Sequence, residues 1–183
     1  MNSKKVDENT VKQETGIKSL DRTNDLDNYK LTLTKAADEC STDIIVNKGT
    51  PYSVCLIAKI IEKANKKIRM LCIGDCIEYL CYEEILNSIK LARNKGIDFI
   101  ILLNRKLKNN ELERLYCEMV KIIPENVFNE NLKDDPFKTF ITGDDFTYRF
   151  EFEANGIKGI GCFNDKGVTQ NFINKFDQIQ EEC

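Results

Sequence analysis

Four carboxylates gather in one short stretch, Asp144, Asp145, Glu151 and Glu153. Carboxylate oxygens are what a magnesium ion accepts, so metal-assisted hydrolysis is one chemistry this grouping suggests. The spacing favours a plainer role. Asp144-Asp145 follows Gly143 and suits a turn. Glu151 and Glu153 alternate with Tyr148, Phe150 and Phe152 in Thr147–Glu153, the period of a half-buried strand whose polar face meets solvent. Arg149 shares that polar face, where it pairs with an acid or holds an anion. The chain contains no histidine, which removes the usual base of serine and cysteine hydrolases. No Gly-x-x-x-x-Gly-Lys loop and no Gly-x-Gly-x-x-Gly after the first strand is present to cradle phosphates. Gly159-Ile160-Gly161 runs through a strand, where glycine eases packing. Cys72, Cys76 and Cys81 are spaced more loosely than paired metal ligands. No cofactor and no metal site is implied.

The elements that would position these residues follow from periodicity. Leu26, Tyr29, Leu33, Ala36, Ala37 and Cys40 recur at helical spacing, with Asn24 or Asp25 as cap. Asp43–Asn47 is a β-branched strand. Ser53–Lys66 reads as a helix capped by Ser53, with Pro51 just ahead of it. Ile68–Ile73 is an apolar strand stopped by Gly74. Tyr82–Asn94 is a helix closed by Gly96. Ile97–Leu103 is the strongest buried-strand signal. This alternation implies a parallel α/β core with right-handed crossovers. A helix over Asn110–Ile123 is expected to stop at Pro124, followed by a loop over 124–136 with at most a short strand around Val127-Phe128. Thr139–Thr142, Thr147–Glu153 and Gly159–Phe163 are strands, the last two joined by an Asn155-Gly156 turn. Asp165 caps a final helix carrying Val168, Phe172, Phe176 and Ile179.

Residues 1–24 are polar without a sustained apolar period and are expected to be a disordered tail, leaving 25–183 as the folded domain. Of the 183 residues, 42% are hydrophobic and 31% charged, an ordinary globular balance. The formal charge of -3 makes no global case for nucleic acid or an anionic membrane. No apolar run is long enough to span a bilayer, and the eight cysteines read as free thiols in a reducing cytoplasm. Basic residues between Lys59 and Lys108 are numerous, with acids interspersed.

Two blocks carry a resemblance. Ile44–Leu103, with its Gly49-Thr50-Pro51-Tyr52 turn and Leu91-Ala92-Arg93-Asn94-Lys95-Gly96-Ile97-Asp98-Phe99, resembles the opening of a phospholipase D-like half-domain. Lys138–Phe176 is similar to the segment that carries that family's His-x-Lys-x-x-x-x-Asp motif, in which histidine attacks phosphorus and lysine neutralises phosphate oxygens. If Asp144 stands at the motif's aspartate, Phe137 and Thr139 take the histidine and lysine positions; if Asp145 does, Lys138 and Phe140 do. Neither register restores the motif, and a phosphohistidine needs an imidazole.

The resemblance implies an α/β fold, a mixed, mostly parallel sheet with helices on both faces, as a single half-domain. Active members pair two halves, so it implies self-association or a protein partner; a bacterial setting is compatible with it. The expected function is that of a non-catalytic, regulatory or scaffolding subunit. Alternatives are a module binding nucleic acid or another phosphate-containing ligand in the degenerate pocket, and a divergent metal-dependent phosphodiesterase. Strand ends at Gly74-Asp75 and Asn104-Arg105 fall where open α/β sheets bind ligands. Asp75, Asn104, Arg105, Asp144 and Arg149 are therefore the candidate ligand-binding residues.

Overall fold

Seven strands build one sheet in the order β1-β7-β6-β5-β2-β3-β4. The computed structural model describes residues 18–21, 23–107, 110–152 and 158–183. Its strands are β1 (Ile45–Lys48), β2 (Lys67–Cys72), β3 (Asp98–Leu103), β4 (Val120–Ile122), β5 (Phe140–Gly143), β6 (Thr147–Glu151) and β7 (Lys158–Cys162). The helices are α1 (Asn24–Asp38), α2 (Thr50–Lys63), α3 (Glu83–Asn94), α4 (Asn110–Tyr116), α5 (Glu125–Asn131) and α6 (Lys166–Glu181), with a 3₁₀ helix over Gly74–Cys81.

The sheet is mixed, not mostly parallel. Only β2–β3 and β3–β4 pair in parallel; β1–β7, β7–β6, β6–β5 and β5–β2 are antiparallel. β1, β2 and β3 do run in one direction, as expected of a parallel core. The C-terminal strands β5, β6 and β7, however, insert between β1 and β2 and carry β1 to the sheet's edge. Antiparallel neighbours need only tight turns, so three strands close together in sequence fill that gap.

Helices cover both faces. On one, Ile57, Ile60 and Ile61 of α2 and Ile85 and Ile89 of α3 share a core with Ile68, Met70, Ile101 and Ile141. On the other, Phe172, Phe176 and Ile179 of α6 and Val127 of α5 pack with Leu71, Leu102, Phe140 and Tyr148. Alternate residues of each strand serve the two cores, so a one-residue slip would exchange them.

Several local expectations are corrected. The cap of α1 is Thr23, whose hydroxyl accepts the Leu26 N–H at 3.2 Å. α2 begins at Thr50 with Pro51 in its first turn, so Ser53 lies inside the helix and is not its cap. The helix expected to reach Ile123 ends at Tyr116, because Val120–Ile122 is drawn into the sheet beside β3. The expected loop after Pro124 instead forms α5, anchored by buried Val127. Asp165 caps α6 as expected, accepting the Val168 N–H at 3.0 Å.

Most of the expected tail, residues 1–17, lies outside the described residues, as do the Asn155-Gly156 turn and Glu153. Lys18 is docked: its N–H donates to Cys81 O at 2.8 Å and its carbonyl accepts the Glu83 N–H at 2.8 Å. Among the described residues no helix is long and apolar enough to cross a membrane.

Candidate functional site

β2, β3 and β6 all end at the same rim of the sheet, and β5 begins there. That rim holds a cavity of about 580 Å³ lined by Gly74, Asp75, Asn104, Lys138, Thr139 and Glu151, among others. The turn out of β2 needs Gly74, whose φ is 64°, a left-handed value that side chains rarely adopt. Asn104 closes the turn from β3 by accepting the Gly74 N–H at 3.1 Å. Arg105 donates to Gly74 O at 3.1 Å and reaches Asp75 at 3.5 Å. Asp75, Asn104 and Arg105 therefore meet at one rim.

The cavity floor is the end of a buried polar relay. The Ser53 hydroxyl donates to Gly49 O at 3.2 Å and accepts from Asn47 Nδ2 at 2.6 Å. Asn47 Oδ1 accepts the Arg149 Nε–H at 3.2 Å. The Arg149 fork donates to Glu151 Oε1 at 2.7 Å, and the Cys76 thiol donates to Glu151 Oε2 at 2.6 Å. Arg149 is only 1% exposed and Glu151 4%. Its guanidinium lies 5.6 Å from the Tyr79 ring centroid, within cation–π range. The relay ties α2, β1, β6 and the 3₁₀ helix together.

This arrangement corrects the expected solvent face of β6. Arg149 and Glu151 point inward under α2, and the sheet makes room for them with glycine. A Cβ on Gly159 would sit 2.7 Å from Phe150 O and 3.1 Å from the Arg149 guanidinium. One on Gly161 would meet Tyr148 O at 2.8 Å and Leu56 at 3.1 Å. The Gly-x-Gly of β7 therefore makes space for a buried arginine as well as for the helix above it.

Asp144 lies at the opposite end of the sheet. It follows β5 where β2 begins, and its carboxylate accepts N–H groups of Asn65 (3.0 Å), Lys66 (2.8 Å) and Lys67 (3.0 Å). The strand separating Asp144 and Asp145 from Glu151 is roughly 15 Å long at the usual rise. Asp144 and Asp145 are thus not brought together with Glu151, and among the described residues no group of three or more His, Cys, Asp or Glu is placed to hold a metal.

Of the positions matched to the family motif, Lys138 and Thr139 line the cavity; the Thr139 hydroxyl accepts the Ile73 N–H at 3.3 Å, and the Lys138 ammonium donates to Lys133 O at 3.0 Å. Phe137 is half-exposed and packs edge-on against Phe150, centroids 5.1 Å apart. Phe140 is buried beneath α6. The Asp144 register is therefore the one that aims the motif's lysine position at the cavity. Sequence reading missed Asn47, Ser53, Cys76 and Tyr79 as parts of this site. A polar residue at an inward position of β-branched β1 was the available signal for Asn47.

The thiol at the floor is no nucleophile. Burial, then the neighbouring Glu151 charge, pushes Cys76 from 9.0 up to about 12. Burial likewise raises Cys55 to about 11 and drives fully enclosed Cys72 well up. These groups are neutral when folded, so the stability they contribute is complete below pH 9 and declines as pH rises through 11 and 12. Iodoacetamide at pH 8 is expected to label exposed Cys40, Cys117 and Cys183 rapidly and to spare Cys55, Cys72, Cys76 and Cys162 until the chain unfolds. Rapid labelling of Cys76 in the native state would contradict its placement.

No family model matches the sequence, and no curated protein matches it. Solved structures do match. The fold is that of a phospholipase D-like α/β protein. The crystal structure of Nuc, a phospholipase D family member from Salmonella typhimurium, superposes with a TM-score of 0.53 at 13% identity, covering 76% of this chain and 95% of that one. TrmBL2, described as an archaeal chromatin protein with a novel mode of DNA binding, gives 0.53 at 17% identity, covering 95% of this chain and 64% of that one.

Proposed function

We propose that this chain is a non-catalytic phospholipase D-like protein that works as a regulatory or scaffolding subunit through protein contacts. The observation that carries this reading is the content of the cavity at the strand ends. A threonine bonded to backbone stands where the resemblance places lysine, the buried carboxylate is paired with Arg149, and the chain has no imidazole. Half-exposed Phe152 lines the cavity, and half-exposed Phe137 lies in the chain between its lining residues Pro136 and Lys138; exposed aromatic side chains of this kind suit a protein surface.

The purified chain is expected to leave bis(p-nitrophenyl) phosphate and DNA intact, with and without magnesium. It is also expected to co-purify with a defined protein from its native host, in a complex that Phe137→Lys/Phe152→Lys dissolves. Phosphodiesterase turnover abolished by chelation would replace this reading with the hydrolase alternative.

A second reading, binding to nucleic acid, draws on the likeness to the archaeal chromatin protein. The formal charge of -3 gives it no global support. Lys63 pairs with Asp38, Lys67 with Asp98, Arg93 with Glu118, Arg105 with Asp75 and Arg69 with Asp177. Oligonucleotide affinity falling steeply with salt would establish this second reading instead.

A further inference from the structure

A second cavity, of about 330 Å³, shares no lining residue with the one at the strand ends. It lies in the helical layer, where α1 and α3 both pack against α2 and a slot is left between them. Buried Cys55 and Ala58 of α2 and Leu33 of α1 give it an apolar lining. Its size is at the small end of the roughly 300–1,000 Å³ of small-molecule sites, which combine such a lining with a few polar groups.

Four charged side chains line the slot, two of each sign: Lys30, Lys59, Glu62 and Glu84. Two of them satisfy each other. The Lys59 ammonium lies 2.8 Å from Glu62 Oε2, one turn along α2. Ser88, only 1% exposed, donates to Glu84 O at 2.9 Å, with Glu62 Oε1 3.4 Å away. The other two come from the flanking helices, Lys30 from α1 and Glu84 from α3. Among the described residues no ion pair involves either, and Glu84 Oε2 is buried without a hydrogen-bond partner. A buried carboxylate oxygen without a donor is costly, and the cavity beside it has room for one.

We infer that this slot binds a small zwitterion with an apolar body, the chemistry of a free α-amino acid such as leucine. The ligand's ammonium donates to Glu84 Oε2, its carboxylate meets the Lys30 ammonium, and its side chain lies on Leu33, Cys55 and Ala58. Charge balance selects this class. The lining sums to zero, so a lone cation leaves Lys30 unmatched and adds a positive charge beside it. A lone anion, phosphate included, leaves Glu84 unmatched and faces two carboxylates. A zwitterion matches both wall charges and keeps the slot neutral, which is what a partly desolvated site requires. Both ends of the ligand then make charge-assisted hydrogen bonds, about twice as strong as neutral ones.

Isothermal titration calorimetry of the full chain tests this, with leucine, leucinamide and N-acetylleucine as probes. Leucine is expected to bind with a dissociation constant of about 1 mM or tighter. Leucinamide lacks the carboxylate and N-acetylleucine the ammonium, and each is expected to bind at least about tenfold more weakly. Glu84→Gln and Lys30→Met are each expected to weaken leucine at least about tenfold. Neither should lower the thermal midpoint of the unliganded chain, since neither charge is paired within it. A wild-type chain that binds no leucine overturns the inference. So does a chain that binds leucinamide or N-acetylleucine as well as leucine, or a leucine affinity that both variants leave unchanged. If Lys30 instead swings across the slot to neutralise Glu84, both variants lower the midpoint and leucine does not bind, which also overturns it.

Discussion

Arg149→Met is expected to cost about 3–5 kcal/mol of unfolding free energy, the range for breaking a buried ion pair on one side. The loss comes less from the missing attraction than from what stays behind. Glu151 would keep its carboxylate under α2, 4% exposed, without the guanidinium that balances its charge. Asn47 Oδ1 would lose the donor that orients it, and with it the link from β1 to β6. The double variant Arg149→Met/Glu151→Gln removes both charges and is expected to recover a substantial part of the loss, because the desolvation cost of both ions disappears with their attraction. Urea unfolding of wild type, both single variants and the double variant measures the coupling. An Arg149→Met variant within about 1 kcal/mol of wild type, the ordinary scale of a surface change, would falsify the buried placement of this pair.

That pair also shows where sequence reading stopped. The alternation of Thr147–Glu151 was legible, and Tyr148 and Phe150 do face α6 as one set. The other set was assigned to solvent because charged side chains usually are. Position along the strand cannot reveal that α2 covers that face, nor that Gly159 and Gly161 on β7 leave a slot for a guanidinium. Strand existence was legible because the β-branched and apolar runs of β2 and β3 are long and uninterrupted. Strand order was not, because β1 and β7 meet across more than half the chain and nothing local records that pairing. The segment after Tyr116 failed for a different reason. Met119 and Ile123 continue the helical period, yet Val120–Ile122 gains more by hydrogen bonding to β3, and tertiary pairing overrode the periodic signal. At the candidate site, Asp75, Asn104 and Arg105 were legible because glycine and asparagine end apolar strands on one rim. Asp144 was read as their neighbour from the motif's spacing, whereas β5 carries it to the far end.

Asp144→Ala is expected to destabilise the chain by about 2–4 kcal/mol, since hydrogen bonds to a charged acceptor are among the stronger ones and partly buried donors are left unmet. The carboxylate gathers the amides of Asn65, Lys66 and Lys67, which turn the chain from α2 into β2, and it is only 6% exposed. Its φ of 53° adds a second requirement. Asparagine tolerates that conformation and keeps one acceptor; glycine tolerates it and keeps none; alanine neither tolerates it well nor accepts. The expected order of stability is therefore wild type, Asn, Gly, Ala, read from thermal or urea midpoints. Were Asp144 a metal ligand of a hydrolase instead, alanine would abolish activity with the midpoint little changed. In the register that aims Thr139 at the cavity, Asp144 is the motif position this chain retains. The reason is mechanical: the positions matched to attack and charge neutralisation are filled by phenylalanine and threonine, whereas the aspartate holds backbone amides that the sheet needs whether or not any phosphorus is attacked.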